Sequence, residues 1–318
     1  MRAVVIERFG GPEVMQVRDL PDPDAGAGEV RISVYAAGTN PVDASDRSDG
    51  SWAGIDLPHV PGYDVAGLVD QVGEGVGGIS VGQRVMAMMP FPRGAGGYAE
   101  FVVLPADLVA PLPAGVSFID GAAVPLAAGT AYDVLERIDL APGSWVLVHG
   151  ASGGVGTFLV QLAATRDLHV IAASSARSHD LLRELGAADC IDYHDVDVAD
   201  AARGIAGGPV EAIVDLVGGT ALQQSLGAVR SHGQLASIAT PALDLDPILD
   251  ENLTFHGVLI EDSGERVRIL AGLLRAGTIR PILAEVFPLE RVVDAHRFLE
   301  TGHSGGKIVL QVRSEGIA

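Results

Sequence analysis

Trp145-Val-Leu-Val-His-Gly-Ala-Ser-Gly-Gly-Val-Gly156, followed by Thr157-Phe-Leu-Val-Gln-Leu-Ala163, decides the fold. The apolar run 145–149 predicts a buried strand, the glycines a tight turn, and the spacing from Gly156 onward the start of a helix. Glycines suit such a turn because backbone N–H groups at a helix N-terminus can then approach a pyrophosphate with no side chain in the way. The spacing is Ala151-x-Gly153-x-x-Gly156, with Gly154 and Val155 inside it, so an alanine replaces the first glycine of the usual dinucleotide fingerprint.

The residues after the next strand bear on the choice of nucleotide. The run Leu168 to Ala173 is followed by Ser174-Ser-Ala-Arg177. A site for NADH places an acid there to hold the ribose 2′-hydroxyl. Hydroxyls and a guanidinium instead suit a 2′-phosphate, so the expected cofactor is NADPH. The competing reading is that Ser174 and Ser175 cap a helix running from Ala176 to Leu185.

A chain of 318 residues, 48% hydrophobic, has enough apolar material for two cores. The first third is strand-rich: Ala3 to Ile6, Glu29 to Ala36, Gly67 to Val72, Arg84 to Met88 and Tyr98 to Leu104 lie between Gly and Pro turns, as in an antiparallel, barrel-like domain. From about Phe118 the pattern changes. Helical stretches near 121–136, 156–165 and 178–185 alternate with strands at 145–149, 168–173, 189–191, 210–216 and 233–238, which predicts a doubly wound parallel sheet. The tail holds a helix, a strand near 283–287, a helix near 289–301 and a last strand 307–312 that can complete the first domain. The expected division is 1–119, 120–258 and 259–318, an α/β chain whose middle segment interrupts a β-rich domain.

Net charge −20 argues against nucleic acid or an anionic membrane as partner, because both require a basic footprint. No apolar run is long enough to span a bilayer, and the single Cys190 permits no intramolecular disulfide, which points to the cytoplasm. Asp189 and Asp192 beside Cys190 give it none of the positive surroundings that make a reactive thiolate.

Read in order, Gly38-Thr-Asn-Pro-Val-Asp43, His59-Val-Pro-Gly-Tyr-Asp-Val-Ala-Gly67, Val81-Gly-Gln-Arg-Val85, Gly96-Gly-Tyr-Ala-Glu-Phe101, Ala128-Gly-Thr-Ala-Tyr132, Leu185-Gly-Ala-Ala-Asp189, Asp215-Leu-Val-Gly-Gly219 and Gly305-Gly-Lys-Ile-Val-Leu310 form a pattern with the 151–156 turn. The chain resembles the medium-chain dehydrogenase/reductase superfamily, and within it the zinc-independent, zeta-crystallin-like quinone oxidoreductase branch, over essentially its whole length. The resemblance implies a GroES-like catalytic domain split around a Rossmann domain, with the active site in the cleft between them. It also implies a small-molecule substrate and a homodimer joined through the Rossmann sheet edge, for which 253–260 is the candidate strand.

Zinc-dependent relatives ligate a catalytic ion through a Cys and a His. Asn40 and Tyr63 stand at those places, neither a usual zinc ligand, and 86–97 is too short for a four-cysteine structural lobe, so no metal is expected. Asp64 and His59 more simply form a hydrogen bond than a metal site. With no zinc, hydride chemistry falls to the cofactor and suits substrates already activated by conjugation: quinones, enones and enals.

Asn40 either donates its amide N–H to a substrate carbonyl or satisfies the turn before Pro41. Tyr63 either offers its hydroxyl as a donor or packs in a core. Ser45 occupies a place where the family often carries a tyrosine, and Trp52 and Phe91 either line the substrate pocket or fill the domain edge. On the cofactor side, Thr130 and the 151–156 turn (Ala151, Gly153, Gly154, Val155, Gly156) are expected at the pyrophosphate or nicotinamide end. Ser174, Ser175, Arg177 and Tyr193 are expected near the 2′-phosphate, with His194 where an arginine is common. By resemblance, Val217, Gly218 and Ala239 approach the nicotinamide. Lys307 either reaches a phosphate or ends a surface turn. The expected activity is NADPH-dependent reduction of quinones or α,β-unsaturated carbonyls. An enoyl reductase dedicated to a biosynthetic intermediate and a non-catalytic NADPH-binding protein are the alternatives.

Overall fold

A computed structural model of the chain describes residues 1–50 and 52–314. The chain divides into two compact units, one comprising 1–129 with 261–318, the other 130–260.

In the second unit, strand Trp145–His149 is fully apolar along 146–148 because helices cover both faces of a parallel sheet. Six parallel strands lie in the order Asp189–Asp192, His169–Ser174, Trp145–His149, Val210–Asp215, Val229–Ser237, Thr254–Gly257. Numbered along the chain this is 3-2-1-4-5-6, the Rossmann order, which reverses direction between Trp145–His149 and Val210–Asp215. The glycine turn leaves the sheet at that reversal and runs into helix Gly154–Ala164. Two glycines there are needed for space. A Cβ on Gly156 would lie 2.4 Å from the Gly150 carbonyl oxygen, and Gly150 itself has φ +74°.

The first unit is built on Glu29–Gly38, whose alternate residues are buried along most of its length. Its seven-stranded sheet runs Leu283–Pro288, Lys307–Gln311, Glu29–Gly38, Asp64–Val72, Arg84–Met88, Val109–Pro111, with Phe101–Pro105 also paired to Glu29–Gly38. Arg2–Ile6 and Met15–Asp19 form a separate ribbon. The final strand pairs antiparallel with Glu29–Gly38, Val309 opposite Gly38, so the C-terminal segment completes this unit.

The boundaries fall at 129/130 and 260/261 rather than at 119/120 and 258/259. The expected helix 121–136 is two helices, Phe118–Ala122 and Pro125–Ile138. The first packs on the β-rich unit through Phe118, whose ring lies 4.5 Å from Tyr35 and beneath the Arg84 guanidinium at 4.2 Å. The strand expected from Tyr98 begins at Phe101. Among the described residues, no helix is long and apolar enough to cross a membrane.

Helix Phe118–Ala122 sits so close to the sheet that a Cβ on Gly38 would lie 2.2 Å from the Ala122 carbonyl oxygen and 3.0 Å from Asp64 Cβ. Gly38→Ala is therefore expected to cost about 1–3 kcal/mol through forced backbone displacement. A lower urea midpoint for unfolding checks this, and an unchanged midpoint contradicts the packing described.

Candidate functional site

Two constellations carry chemistry, one in each unit. In the β-rich unit, Asn40 caps helix Pro41–Ser48, with Pro41 supplying the favourable first position and the Asn40 N–H donating to Asp43 Oδ2 at 2.7 Å. The Asn40 side chain is only 2% exposed. Its Nδ2 donates to Asp64 Oδ2 at 3.0 Å, and its Oδ1 accepts from the Lys307 ammonium at 2.6 Å. An ammonium can only donate and a carboxylate can only accept, so these two partners fix which end of the amide is which. Lys307 Nζ also donates to the Thr39 carbonyl at 2.9 Å and to Asp64 Oδ2 at 3.4 Å. Asp64 Oδ1 accepts from the Leu126 N–H at 2.7 Å. Burial pushes the Asp64 carboxyl up, while Lys307 and the hydrogen bonds to its oxygens pull it down.

This arrangement corrects the expectation for Lys307, which neither reaches for a phosphate nor ends a surface turn. It is 3% exposed, and its three N–H donors meet three oxygens of its own unit. Nor does Asp64 bond His59. The carboxylate is taken by Asn40, Lys307 and Leu126, while His59 Nε2 is buried with no partner among the described residues.

Behind Asn40, Asp43 accepts from the Asn40 N–H, from the Gly62 N–H at 3.1 Å and from the Tyr98 hydroxyl at 3.0 Å. Tyr98 Oη lies 3.3 Å from His296 Nε2, and His296 Nδ1 lies 3.3 Å from Arg47 Nη1. The guanidinium can only donate, so Nδ1 accepts, Nε2 carries the hydrogen toward Tyr98, and Tyr98 donates to Asp43. Arg47, 2% exposed, closes the chain outward onto Glu300 and the Gly10 carbonyl. Burial pushes Asp43 up to about 7 against the pull of the donors it accepts. Burial, assisted by Arg47, pushes His296 down to about 3.

Tyr63 is wholly buried. Its hydroxyl lies 2.7 Å from Asp46 Oδ2 and 2.5 Å from the Pro92 carbonyl. The hydroxyl donates, and both neighbours accept, so its one hydrogen is shared between the carboxylate and the carbonyl. Burial pushes the Asp46 carboxyl up, against the pull of the hydrogen bonds from Tyr63 and Trp52. Trp52 Nε1 donates to Asp46 Oδ1 at 2.9 Å, and Phe91 stacks 5.1 Å from Tyr63 and 5.6 Å from Trp52. Tyr63, Trp52 and Phe91 therefore form one cluster around Asp46, with Trp52 43% exposed. Of the two readings of Tyr63, the buried ring and the two engaged contacts of its hydroxyl match the packed one. Ser45 is exposed on helix Pro41–Ser48, its hydroxyl donating to the Pro41 carbonyl at 3.3 Å.

In the second unit, Ala151, Gly153, Gly154, Val155 and Gly156 lie together at the start of helix Gly154–Ala164, where Gly153 is the N-cap and among the described residues no side chain caps the helix. The first N–H groups of an 11-residue helix are thus left for a ligand at its positive end. Gly156 presses on the turn and Gly153 leaves an open approach, where a Cβ would meet only the Gly150 oxygen, at 3.3 Å. Asp215 ends the neighbouring strand, accepting from the N–H groups of Val217 and Gly218 at 2.9 Å each and from the Ser237 hydroxyl at 3.1 Å. It holds the 217–218 turn, with Val217 61% exposed, and a Cβ on Gly218 would lie 3.0 Å from Ala239 Cβ. These residues fit a dinucleotide. Thr130 is 6% exposed in the same unit.

Ser174 ends its strand buried, and Ser175 makes no capping bond to the short turn Ala176–Ser178. That cap comes from Asp192 Oδ2, which accepts from the Ala176 N–H at 2.8 Å. The sequence reading did not place an acid here; register alignment of Asp192 with Ser174 across the sheet brings it in. Arg177 and Tyr193 are exposed in this region, Tyr193 stacked 4.2 Å from His194. Burial pushes the Cys190 thiol up, in keeping with an unreactive side chain.

The two units are a β-rich domain and a Rossmann domain. Residues 26–114 match the alcohol dehydrogenase GroES-like domain family and residues 185–310 the zinc-binding dehydrogenase family. The chain is 32% identical to rat quinone oxidoreductase, covering 97% of this chain and 96% of that protein. It is 30% identical to the chloroplastic NADPH-dependent alkenal/one oxidoreductase of Arabidopsis thaliana, covering 98% and 79%. The crystal structure of Escherichia coli quinone oxidoreductase complexed with NADPH superposes with a TM-score of 0.90 at 27% identity, covering 98% of this chain and 100% of that one. The chain belongs to the quinone oxidoreductase branch of the medium-chain dehydrogenase/reductase superfamily. Zinc does not fit at Asn40, because a cation approaching Oδ1 meets the Lys307 ammonium already bonded there. Among the described residues no three His, Cys, Asp or Glu side chains could hold a metal.

Tyr63→Phe removes the hydrogen that Asp46 and the Pro92 carbonyl share, and is expected to lower stability by about 1–3 kcal/mol. Its denaturant midpoint, read beside the affinity for nicotinamide nucleotide, which should stay at wild type, checks this. His296 binds a proton less readily folded than unfolded. Its contribution is complete above pH 6.5 and is lost as pH falls toward 3. The raised carboxyls of Asp43, Asp46 and Asp64 act with the opposite sign, so the comparison must be between proteins. Between pH 7 and pH 5 wild type should lose more stability than His296→Gln, and parallel losses contradict a buried neutral imidazole.

Proposed function

We propose that the protein is a zinc-independent, NADPH-dependent oxidoreductase that reduces quinones or α,β-unsaturated carbonyls by hydride transfer. The observation that carries this reading is the uncapped, glycine-lined helix N-terminus at the point where the six-stranded sheet reverses. Its membership of a quinone oxidoreductase branch supports the reaction class.

The backbone of 151–156, with Thr130, receives the pyrophosphate, and Val217, Gly218 and Ala239 flank the nicotinamide. Ser174, Ser175, Arg177 and Tyr193 take the 2′-phosphate. Asp192 lies close to this group, but its carboxylate is engaged by the N–H groups of Ala176 and His194. When bound, the reduced nicotinamide supplies a hydride for an electron-poor carbon. The remaining task of the chain is to stabilise negative charge arriving on the substrate carbonyl oxygen. Asn40 is the donor proposed for that oxygen, with water supplying the final proton. Tyr63, with Trp52 and Phe91, shapes the wall of the substrate pocket beside exposed Ser45. The edge strand Thr254–Gly257, paired on one side only and carrying exposed Phe255, is the proposed seam of a homodimer.

NADPH is expected to bind about 10- to 100-fold more tightly than NADH, as charge-assisted hydrogen bonds to one phosphate provide. Arg177→Ala should remove most of that preference. NADPH oxidation should proceed with 1,4-benzoquinone and 2-cyclohexen-1-one and be unaffected by chelator. Fluorescence titration and steady-state rates test both statements. Equal affinity for the two nucleotides overturns the cofactor assignment, and absence of turnover with either acceptor overturns the reaction.

A further inference from the structure

Lys307 is the only lysine among 318 residues and is almost wholly buried. Its partners are a peptide carbonyl, a side-chain amide oxygen and a carboxylate, so the positive charge is held against Asn40 Oδ1 at 2.6 Å. An amide whose oxygen accepts from a cation is polarised, and its N–H groups become better donors. One Nδ2–H of Asn40 is spent on Asp64. Among the described residues the other has no partner, although Asn40 is 2% exposed. A buried, polarised and unspent N–H is costly to leave unmet and is suited to an oxygen that gains charge during a reaction.

We propose that Lys307 is a positioning residue that acts on the substrate through Asn40: its ammonium polarises and orients the amide so that the unspent Nδ2–H meets the substrate carbonyl oxygen. The inference rests on the enone and quinone reading above. Asp64 completes the device in two ways. It balances the lysine charge at 3.4 Å, and by accepting the other Nδ2–H it prevents rotation of the amide. Asp64 is itself anchored by the Leu126 N–H, so the donor is held by elements distant in sequence. The charge of the ammonium acts through an amide rather than by direct contact with substrate. No bond to Lys307 forms or breaks in the reaction.

The test uses 2-cyclohexen-1-one, ¹³C-labelled at the carbonyl, bound with NADP⁺ so that no reduction occurs. In wild type the carbonyl stretch should move to lower wavenumber than in water. The shift should be lost in Asn40→Ala and in Lys307→Met and largely regained in Lys307→Arg. In turnover, Asn40→Ala and Lys307→Met should each lower kcat by about tenfold or more, with KM for NADPH unchanged, and the double variant should be no slower than the slower single one. Because there is one lysine, ¹⁵N-lysine labelling gives a single ammonium resonance. It should move when wild type is saturated with cyclohexenone and NADP⁺ and stay still in Asn40→Ala, a measurement that does not depend on Lys307→Met folding. A carbonyl shift lost in Asn40→Ala but kept in Lys307→Met, or a stationary lysine resonance in wild type, overturns the role of Lys307 while leaving the oxidoreductase reading intact. Absence of any enone or quinone turnover in wild type overturns both.

Discussion

The buried contact between the Lys307 ammonium, the Asn40 amide and the Asp64 carboxylate is the constraint on which the β-rich unit depends. It joins the cap of helix Pro41–Ser48, the first residue of strand Asp64–Val72, the start of helix Pro125–Ile138 and the first residue of the last strand. Charges in such a place are expensive to desolvate, and each group is tolerable only because the others satisfy it. Removing one therefore strands the rest. The last strand must pair with Glu29–Gly38 in the observed register for Lys307 to arrive beside Thr39 and Asn40.

A second polar relay backs the first. Arg47, His296 and Tyr98 pass hydrogen bonds in one direction to Asp43, which also accepts from the N–H groups of the loop residues Asn40 and Gly62. Burial pushes His296 down and Asp43 up, and the chain of donors fixes the orientation of each side chain. Polar networks of this kind specify one arrangement of a core more sharply than apolar packing does. They also explain why the Tyr63 hydroxyl is held by Asp46 and Pro92 rather than presented.

The nucleotide unit rests on simpler physics. Backbone groups at a helix start, glycines that admit a close approach, and the reversal of strand order create a place for a pyrophosphate with few side chains involved. Local order along the chain suffices for most of this.

Accordingly, much of both units was legible in the sequence: strand 145–149 of the Rossmann unit and strand 84–88 of the β-rich unit have the expected bounds, because short apolar runs between turn residues leave little choice. The resemblance carried by the ordered motifs also pointed to the family. Helix Pro41–Ser48 was not legible, since its buried face is Asp43, Asp46 and Arg47, and hydrophobic periodicity cannot signal a charged face turned inward. Helix Val198–Ala206, rich in alanine and ended by a left-handed Gly207, carries only Val198 and Ile205 as larger apolar residues for the same test. The identities of Asn40, Tyr63 and Lys307 as noteworthy residues came from the sequence, while their partners came only from tertiary structure. Lys307 lies 267 positions from Asn40, and no local pattern states that a lysine after two glycines turns inward. Sheet register alone places Asp192 beside Ser174 and brings an acid to a loop whose own residues contain none. Local sequence determined which segments are strands, turns and helices; long-range pairing decided which polar groups are spent on one another and which remain for a ligand, because that depends on distances the chain order does not contain.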